Sequence, residues 1–180
     1  CVGDVEIDGA NVNHLGAVIN CLQSKDCKID GDDTYMRVRS TGRIHGVHAQ
    51  SAPYPLFPTD MQPQLLCASC FSDGVSVIRE TVFENRFAHV KEMQKLGAKI
   101  NVRGDTATIF GCEKSDSPYL IKGGSVVASD LRAGGALCIA ALKIKGESKV
   151  YGVEFIDRGY ERIEDVFCSL GGYVLRTKDR

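Results

Sequence analysis

Two stretches of the chain are apolar on almost every side when they are drawn as helices. They cover 62–72 and 132–144, and each is followed by a glycine, Gly74 and Gly146. A helix that is apolar all round is buried all round, and glycine commonly ends a helix because it accepts a left-handed backbone. The pattern therefore predicts two buried helices. Alternating apolar positions after the glycines predict a strand behind each helix, at 75–79 and 148–153.

Three further stretches repeat apolar residues at spacings of three and four, which places them on one face of a helix. The apolar positions are Leu15, Val18, Ile19 and Leu22, then Phe87, Val90, Met93 and Leu96, then Ile163, Val166, Phe167 and Leu170. Strands are predicted after the second helix at 99–103 and 106–110, joined by a Gly-Asp turn, and after the third at 172–177. The pattern thus predicts three amphipathic helices.

These elements recur about every 70 residues. The segment 3–7 resembles 74–78, Asp60 resembles Asp130, and 96–97 resembles 170–171. Each unit is interpreted as βαβαββ, and the chain holds two full units and one truncated unit. Apolar helices inside and sheets outside predict one α/β domain over 1–180. The first unit starts where its buried helix has already ended, so we expect a longer protein, with apolar surface near Val5 and Ile7 that a partner element covers.

Composition narrows the class of protein further. The chain has 180 residues, with 22 Lys+Arg against 23 Asp+Glu, a balance that does not favour nucleic-acid binding. Its longest apolar run, 136–142, is far shorter than the roughly 20 residues that span a bilayer. We therefore expect a cytoplasmic protein with neither nucleic-acid nor membrane partners.

The eight cysteines are most simply explained as buried packing residues in a reduced compartment. Cys67 and Cys70 form a C-x-x-C pair, but no second pair exists to complete the four ligands of a structural zinc site. Neither a metal nor a disulfide is expected.

Asp60 follows a proline-rich segment and precedes the first buried helix. Pro53, Pro55 and Pro58 stiffen this approach. Aspartate is common as a helix N-cap, and on the pattern alone that interpretation is favoured. The alternative is a carboxylate that a rigid element points into a cleft.

The other candidate chemistry lies at the starts of helices. Arg86 and His89 follow a predicted strand, where α/β proteins place ligand sites, although a surface or packing role suits His89 better than catalysis. Asp130 and Arg132 repeat the corner of Asp60, and Arg158 starts the next junction. Arginines that converge with carboxylates suit an anionic substrate that carries phosphate or carboxylate. Two glycines after Arg132, at 134 and 135, indicate close helix packing or a ligand.

Four segments, 52–60, 80–87, 129–133 and 156–164, resemble the C-terminal half of the enolpyruvyl transferases, specifically the branch that acts on UDP-N-acetylglucosamine. The segment around 82–86 is less similar to the shikimate-pathway branch. The resemblance implies two domains built from six βαβαββ units, an inside-out α/β barrel with substrates between the domains. It further implies transfer of the enolpyruvyl group of phosphoenolpyruvate to the sugar 3-hydroxyl with release of phosphate, a step of peptidoglycan synthesis that needs no metal or other cofactor.

The resemblance also implies roles for single residues. Asp60 matches the aspartate at the sugar hydroxyl, the favoured general base, and Asp130 matches a second essential acid. The backbone of Val82 matches a contact to the UDP-sugar. Three arginines match those around phosphoenolpyruvate: Arg86, Arg132 and Arg158.

The reactive cysteine and the lysine-asparagine pair of the family belong to the other, N-terminal domain and have no match here. The chain alone is therefore expected to be inactive. A non-catalytic binding or regulatory module with this fold is the alternative, which the retained acids and arginines disfavour.

Overall fold

The computed structural model describes residues 2–24, 26–42, 44–112 and 121–177. The first unit is a three-stranded antiparallel sheet with one helix. It consists of β1 (Val2–Asp8), α1 (Gly16–Leu22), β2 (Cys27–Gly31) and β3 (Tyr35–Thr41). The strand order is β1-β3-β2, so the central strand is the last in sequence.

The middle unit has all six elements of a βαβαββ repeat. They are β4 (His48–Ser51), α2 (Gln62–Ser69), β5 (Val75–Glu80), α3 (Val90–Lys95), β6 (Lys99–Arg103) and β7 (Thr106–Phe110). The sheet order is β4-β5-β7-β6, with β4 parallel to β5 and the other pairs antiparallel. The predicted hairpin of β6 and β7 is confirmed residue for residue.

The third unit repeats the first half of this arrangement. It consists of β8 (Ser125–Val127), α4 (Leu131–Lys143), β9 (Lys149–Tyr151), α5 (Val153–Ile156) and α6 (Ile163–Ser169), and β8 is parallel to β9. The strand predicted at 148–153 ends earlier, because Gly152 turns the backbone to a φ of +79° and α5 follows.

The prediction of a strand at 172–177 is wrong. These residues form no strand, because a strand needs a hydrogen-bonded neighbour and, among the described residues, the sheet of this unit pairs only β8 with β9. Arg176 instead anchors the segment through its side chain, which donates to Asp157 and Glu164 at 2.8–2.9 Å. In the described residues the last unit therefore lacks the strand pair that closes the middle one.

The predicted repeat is confirmed by topology. The order β1-β3-β2 of the first sheet is the order β5-β7-β6 of the second, with antiparallel pairing throughout. The predicted helix-ending glycines all have a positive φ, between +87° and +104°: Gly74, Gly97, Gly146 and Gly171.

The core lies between α2 and α4, which pack against each other. The prediction that both helices are buried on every side is wrong for α4, because Ile139 is 38% exposed on its outer face. Leu66 on α2 and Leu137 on α4 are fully buried. A Cβ atom on Gly134 would lie 2.4 Å from the Ile156 side chain, and one on Gly135 would lie 2.9 Å from the hydroxyl of Tyr160. Close packing of the chain's own side chains therefore accounts for both glycines.

The first unit is much less covered than the middle one. In α1 only Val18 is buried, while Leu22 is 37% exposed and Ile7 on β1 is 43% exposed. This agrees with the apolar surface expected beside the first unit. None of the helices in the described ranges is long and apolar enough to cross a membrane.

Candidate functional site

Asp60 lies in a single 3₁₀ turn, Thr59–Met61, directly before α2. The expectation that it caps the helix is wrong, since Pro58 and Met61 occupy the N-cap positions and neither end has a side-chain capping bond. Its carboxylate is instead bound by two arginines. Arg86 donates from Nη2 to Oδ1 at 2.6 Å, and Arg132 donates from Nη2 to Oδ2 at 2.9 Å.

The two guanidinium groups come from different repeat units. Arg86 follows β5, and Arg132 lies in the first turn of α4, where its Nε also approaches Asp60 Oδ1 to 2.5 Å. The hydrogen bond from Arg132 and then the charges of Arg132 and Arg86 lower the pKa of Asp60, against the opposing effect of partial burial. The carboxylate is thus ionised at neutral pH, and its side chain is still 56% exposed.

The loop that carries Arg86 holds this side chain firmly. Asn85 has a positive φ of 57°, which turns the chain just before Arg86. The guanidinium carbon lies 5.0 Å from the ring centre of Phe83, a cation–π contact. Only 18% of the Arg86 side chain is exposed. This arginine is therefore positioned before any substrate arrives.

Asp130 occupies the corresponding corner of the third unit but uses its carboxylate differently. Its Oδ1 accepts hydrogen bonds from the backbone N–H groups of Arg132 and Ala133 at 2.9 and 3.0 Å, so it is the N-cap of α4. Its Oδ2 lies 3.3 Å from the hydroxyl of Ser129. Asp130 therefore orients the turn that presents Arg132 to Asp60.

Arg158 is not joined to this cluster by any hydrogen bond or ion pair with Asp60. It is exposed, in the segment between α5 and α6. That segment reaches α2 through Tyr160, whose hydroxyl accepts a hydrogen bond from Gln64 Nε2 at 3.2 Å. The structure thus brings together Asp60, Arg86 and Arg132, and places Arg158 on an adjoining segment.

Val82 lies two residues after the end of β5 and is 39% exposed, and its backbone N–H donates to Glu80 Oε1 at 2.9 Å. Glu80 was not singled out from the sequence, although it is only 3% exposed. The sequence shows only a glutamate at the end of an apolar strand. The pattern alone does not tell whether such a carboxylate is buried or exposed to solvent.

His89 is a buried packing residue, one of the two roles that the sequence favoured. Burial lowers its pKa to about 4, against the charge of Asp130 and a hydrogen bond with the backbone of Arg86, so the imidazole is neutral. Cys67 and Cys70 are buried and not in a disulfide, and burial raises the pKa of both thiols. Across the described part of the chain, no three His, Cys, Asp or Glu residues are grouped to hold a metal ion.

The fold of this chain is similar to that of solved enolpyruvyl transferases. The structure of the enolpyruvyl transferase NikO from Streptomyces tendae matches 94% of this chain with a TM-score of 0.79 at 24% identity. The EPSP synthase of Acinetobacter baumannii matches 97% of the chain with a TM-score of 0.73 at 18% identity. At these identities the likeness concerns the fold.

A family model described as EPSP synthase (3-phosphoshikimate 1-carboxyvinyltransferase) matches residues 2–167. The chain belongs to this family.

Two curated relatives are similar along nearly the whole chain, and both are named UDP-N-acetylglucosamine 1-carboxyvinyltransferase. The protein of Anaeromyxobacter sp. (strain Fw109-5) is 43% identical over 97% of this chain. That of Paramagnetospirillum magneticum (strain ATCC 700264 / AMB-1) is 42% identical over 98%. The chain spans about 40% of the length of each.

Proposed function

We propose that this chain forms one domain of a two-domain enzyme that transfers the enolpyruvyl group of phosphoenolpyruvate to the 3-hydroxyl of UDP-N-acetylglucosamine and releases phosphate. One observation carries the proposal: an exposed Asp60 carboxylate is held between two guanidinium groups from different repeats. The names of relatives at 42–43% identity support this acceptor. The rest of the relatives' length would supply the second domain, and the reaction would take place in the cytoplasm.

In the proposed reaction, Asp60 accepts the proton of the sugar 3-hydroxyl as the sugar oxygen attacks C2 of phosphoenolpyruvate, and an acid of the second domain donates a proton to C3. In the elimination, the conjugate base of that acid takes a proton back from C3, the C2–C3 double bond re-forms, and the bond from C2 to the phosphate oxygen breaks. The phosphate leaves with the proton that Asp60 accepted, which returns Asp60 to its ionised form. Arg86, Arg132 and Arg158 would bind the phosphate and carboxylate charges of the donor, which guanidinium groups suit because they form paired hydrogen bonds. Asp130 would keep the turn with Arg132 in place.

The contacts of Asp60 indicate how substrate binding would activate it. The two arginines that lower its pKa are the groups proposed to bind the donor. An anionic substrate that draws Arg132 away removes the largest cause of that lowering. The pKa of Asp60 then rises, and the carboxylate becomes a better general base at the moment when the sugar is bound.

The test uses a chimera in which this chain replaces the matching segment of the Anaeromyxobacter relative. We call this chimera the assembled enzyme. We expect phosphate release from phosphoenolpyruvate that depends on UDP-N-acetylglucosamine, and none from the 180-residue chain alone. The match to the EPSP synthase family favours shikimate 3-phosphate as the second candidate acceptor, so it is assayed in parallel. Turnover with shikimate 3-phosphate alone would replace the proposed acceptor.

A non-catalytic module with this fold predicts a different result. Such a module binds the nucleotide sugar without phosphate release, even when Asp60 and the arginines are intact. A folded chimera that binds UDP-N-acetylglucosamine in calorimetry but releases no phosphate would favour that alternative.

A further inference from the structure

Glu80 is a buried charged residue that the proposed chemistry does not use. It is the last residue of β5, and only 3% of it is exposed. A carboxylate in such a place is costly unless hydrogen bonds compensate for the lost water. Its hydrogen-bond partners therefore show what keeps it there.

These partners lie on both sides of the candidate site. Oε2 accepts a hydrogen bond from the hydroxyl of Thr59 at 3.0 Å, and Thr59 directly precedes Asp60. Oε1 accepts from the backbone N–H groups of Val82 and Phe83 at 2.9 and 3.1 Å. One carboxylate thus joins the turn that carries Asp60 to the segment that leads to Arg86.

The charge of Glu80 strengthens this link. Burial acts to raise its pKa, but hydrogen bonds from Ser51, Val82, Phe83 and Thr59 outweigh burial and lower it. The group is therefore ionised at neutral pH, and hydrogen bonds to an ionised acceptor are roughly twice as strong as neutral ones. A link of this strength holds two loops in one relative position.

We propose that Glu80 is a positioning residue that sets the distance between the Asp60 carboxylate and the 82–86 segment. It acts through Thr59 on the general base and through the two amides on the sugar contact at Val82. The inference rests on the proposed function for its kinetic consequence, whereas the structural link itself is a property of this chain.

Thr59→Val separates the two halves of the link. Valine keeps the shape of threonine but removes the hydrogen bond to Glu80, while the bonds to Val82 and Phe83 remain. In the assembled enzyme we expect kcat to fall about 10-fold, because small misplacements of a catalytic group are costly. KM for UDP-N-acetylglucosamine stays within about twofold, since the 82–86 segment keeps its support.

Glu80→Ala removes both halves, and we expect kcat to fall on the order of 100-fold with a raised KM for UDP-N-acetylglucosamine. Glu80→Gln retains an acceptor for the two amides and should recover part of that loss. Thr34→Val is the matched control, because it removes a hydroxyl-to-carboxylate bond of 2.7 Å to Asp32 in the first unit, away from the site. It should leave kcat and KM unchanged.

A second measurement uses the assembled enzyme and does not depend on its activity. Hydrogen exchange of the Val82 and Phe83 amides should be faster in Glu80→Ala and unchanged in Thr59→Val. If Glu80 only stabilised the fold, the folded Thr59→Val and Glu80→Gln variants would have lower melting temperatures but wild-type kcat. This result would overturn the proposal. Unchanged amide exchange in Glu80→Ala would overturn it as well. An inactive wild-type chimera refutes the proposed function instead, and the exchange experiment still decides whether the link exists.

Discussion

Two corners of the molecule, the starts of α2 and α4, hold aspartates 70 positions apart in equivalent places of successive repeats. One carboxylate oxygen of Asp130 accepts hydrogen bonds from two backbone N–H groups of its own helix. Asp60 makes no such bond and pairs with Arg86 and Arg132. The difference has a local cause, because α2 has a proline in its first turn and so lacks one of the N–H groups that a cap would satisfy.

This contrast teaches that equivalence in a repeat preserves the fold of a corner without preserving its chemistry. At α4 the carboxylate stabilises the scaffold, and at α2 it is left open to solvent between two cations. We therefore expect substitutions at Asp60 to reduce activity more than stability, and substitutions at Asp130 to reduce stability.

The largest expected effect belongs to Asp60→Asn in the assembled enzyme. Asparagine keeps the shape but cannot accept the hydroxyl proton, and general-base help is typically worth about 10²–10⁴ in rate. We expect kcat to fall by that factor while the melting temperature stays near wild type. Steady-state kinetics and a thermal melt of the same variant measure both. A folded variant with turnover within about threefold of wild type, well outside that range, would remove Asp60 from the catalytic residues.

The next effect concerns His89, whose imidazole is close enough to Asp130 to be affected by its charge and is hydrogen-bonded to the backbone of Arg86. Its folded pKa of about 4 lies below the ordinary 6.5, so the unfolded chain binds more protons between these values. Stability is therefore fully present above about pH 6.5 and decreases as pH falls towards 4, by on the order of 2–3 kcal/mol. Urea unfolding across this range measures it. His89→Gln should flatten the pH dependence, and an unchanged pH dependence in this variant would contradict the assignment to His89.

A smaller effect is expected for the cap of α4. Asp130→Ala leaves the N–H groups of Arg132 and Ala133 without their acceptor, which should cost about 1 kcal/mol of unfolding free energy. Asp130→Asn keeps an oxygen for the cap and should be close to wild type. Asp60→Ala removes two ion pairs, but the Asp60 side chain is 56% exposed and solvent screens both, so this change should cost less than Asp130→Ala. Equal losses from Asp60→Ala and Asp130→Ala in urea unfolding would break the contrast between the two corners.

The smallest effect is a change in one titration. Arg132→Ala should raise the pKa of Asp60 towards the ordinary 3.8, because the hydrogen bond from Arg132 is the largest cause of its lowering. Arg86→Ala should raise it less. Carboxyl-carbon NMR of Asp60 against pH in the three proteins measures the order of these changes. A larger shift in Arg86→Ala would reverse our assignment of the dominant partner.

Much of the scaffold was predictable from the sequence because it depends on local pattern. The β6–β7 hairpin needed only alternating apolar residues around Gly104, and the helix ends needed only glycines that adopt a positive φ. The strand expected at 172–177 could not be judged in this way, since a strand exists only where another strand pairs with it.

The candidate site also has features that depend on local pattern and features that depend on distant residues. Asp60, Arg86, Asp130 and Arg132 were identified from residue type, position in the repeat and resemblance to a family, and their common neighbourhood followed from the repeat. The role of each carboxylate did not follow, because Asp60 and Asp130 look alike in sequence. The cap favoured for Asp60 was wrong, and Glu80 was missed because burial of a carboxylate is not visible in local pattern.

The sequence by itself determined the repeat, the two apolar helices and the polar corners before them, since apolar periodicity and glycine positions act over a few residues. Only the tertiary structure decided which hydrogen-bond donors reach each carboxylate. Arg132 comes to Asp60 across 72 positions, and Glu80 reaches Thr59 across 21, because α2 and α4 pack against each other and β5 ends beside the turn of Asp60. Partners so far apart are chosen by packing, and packing is a property of the whole fold.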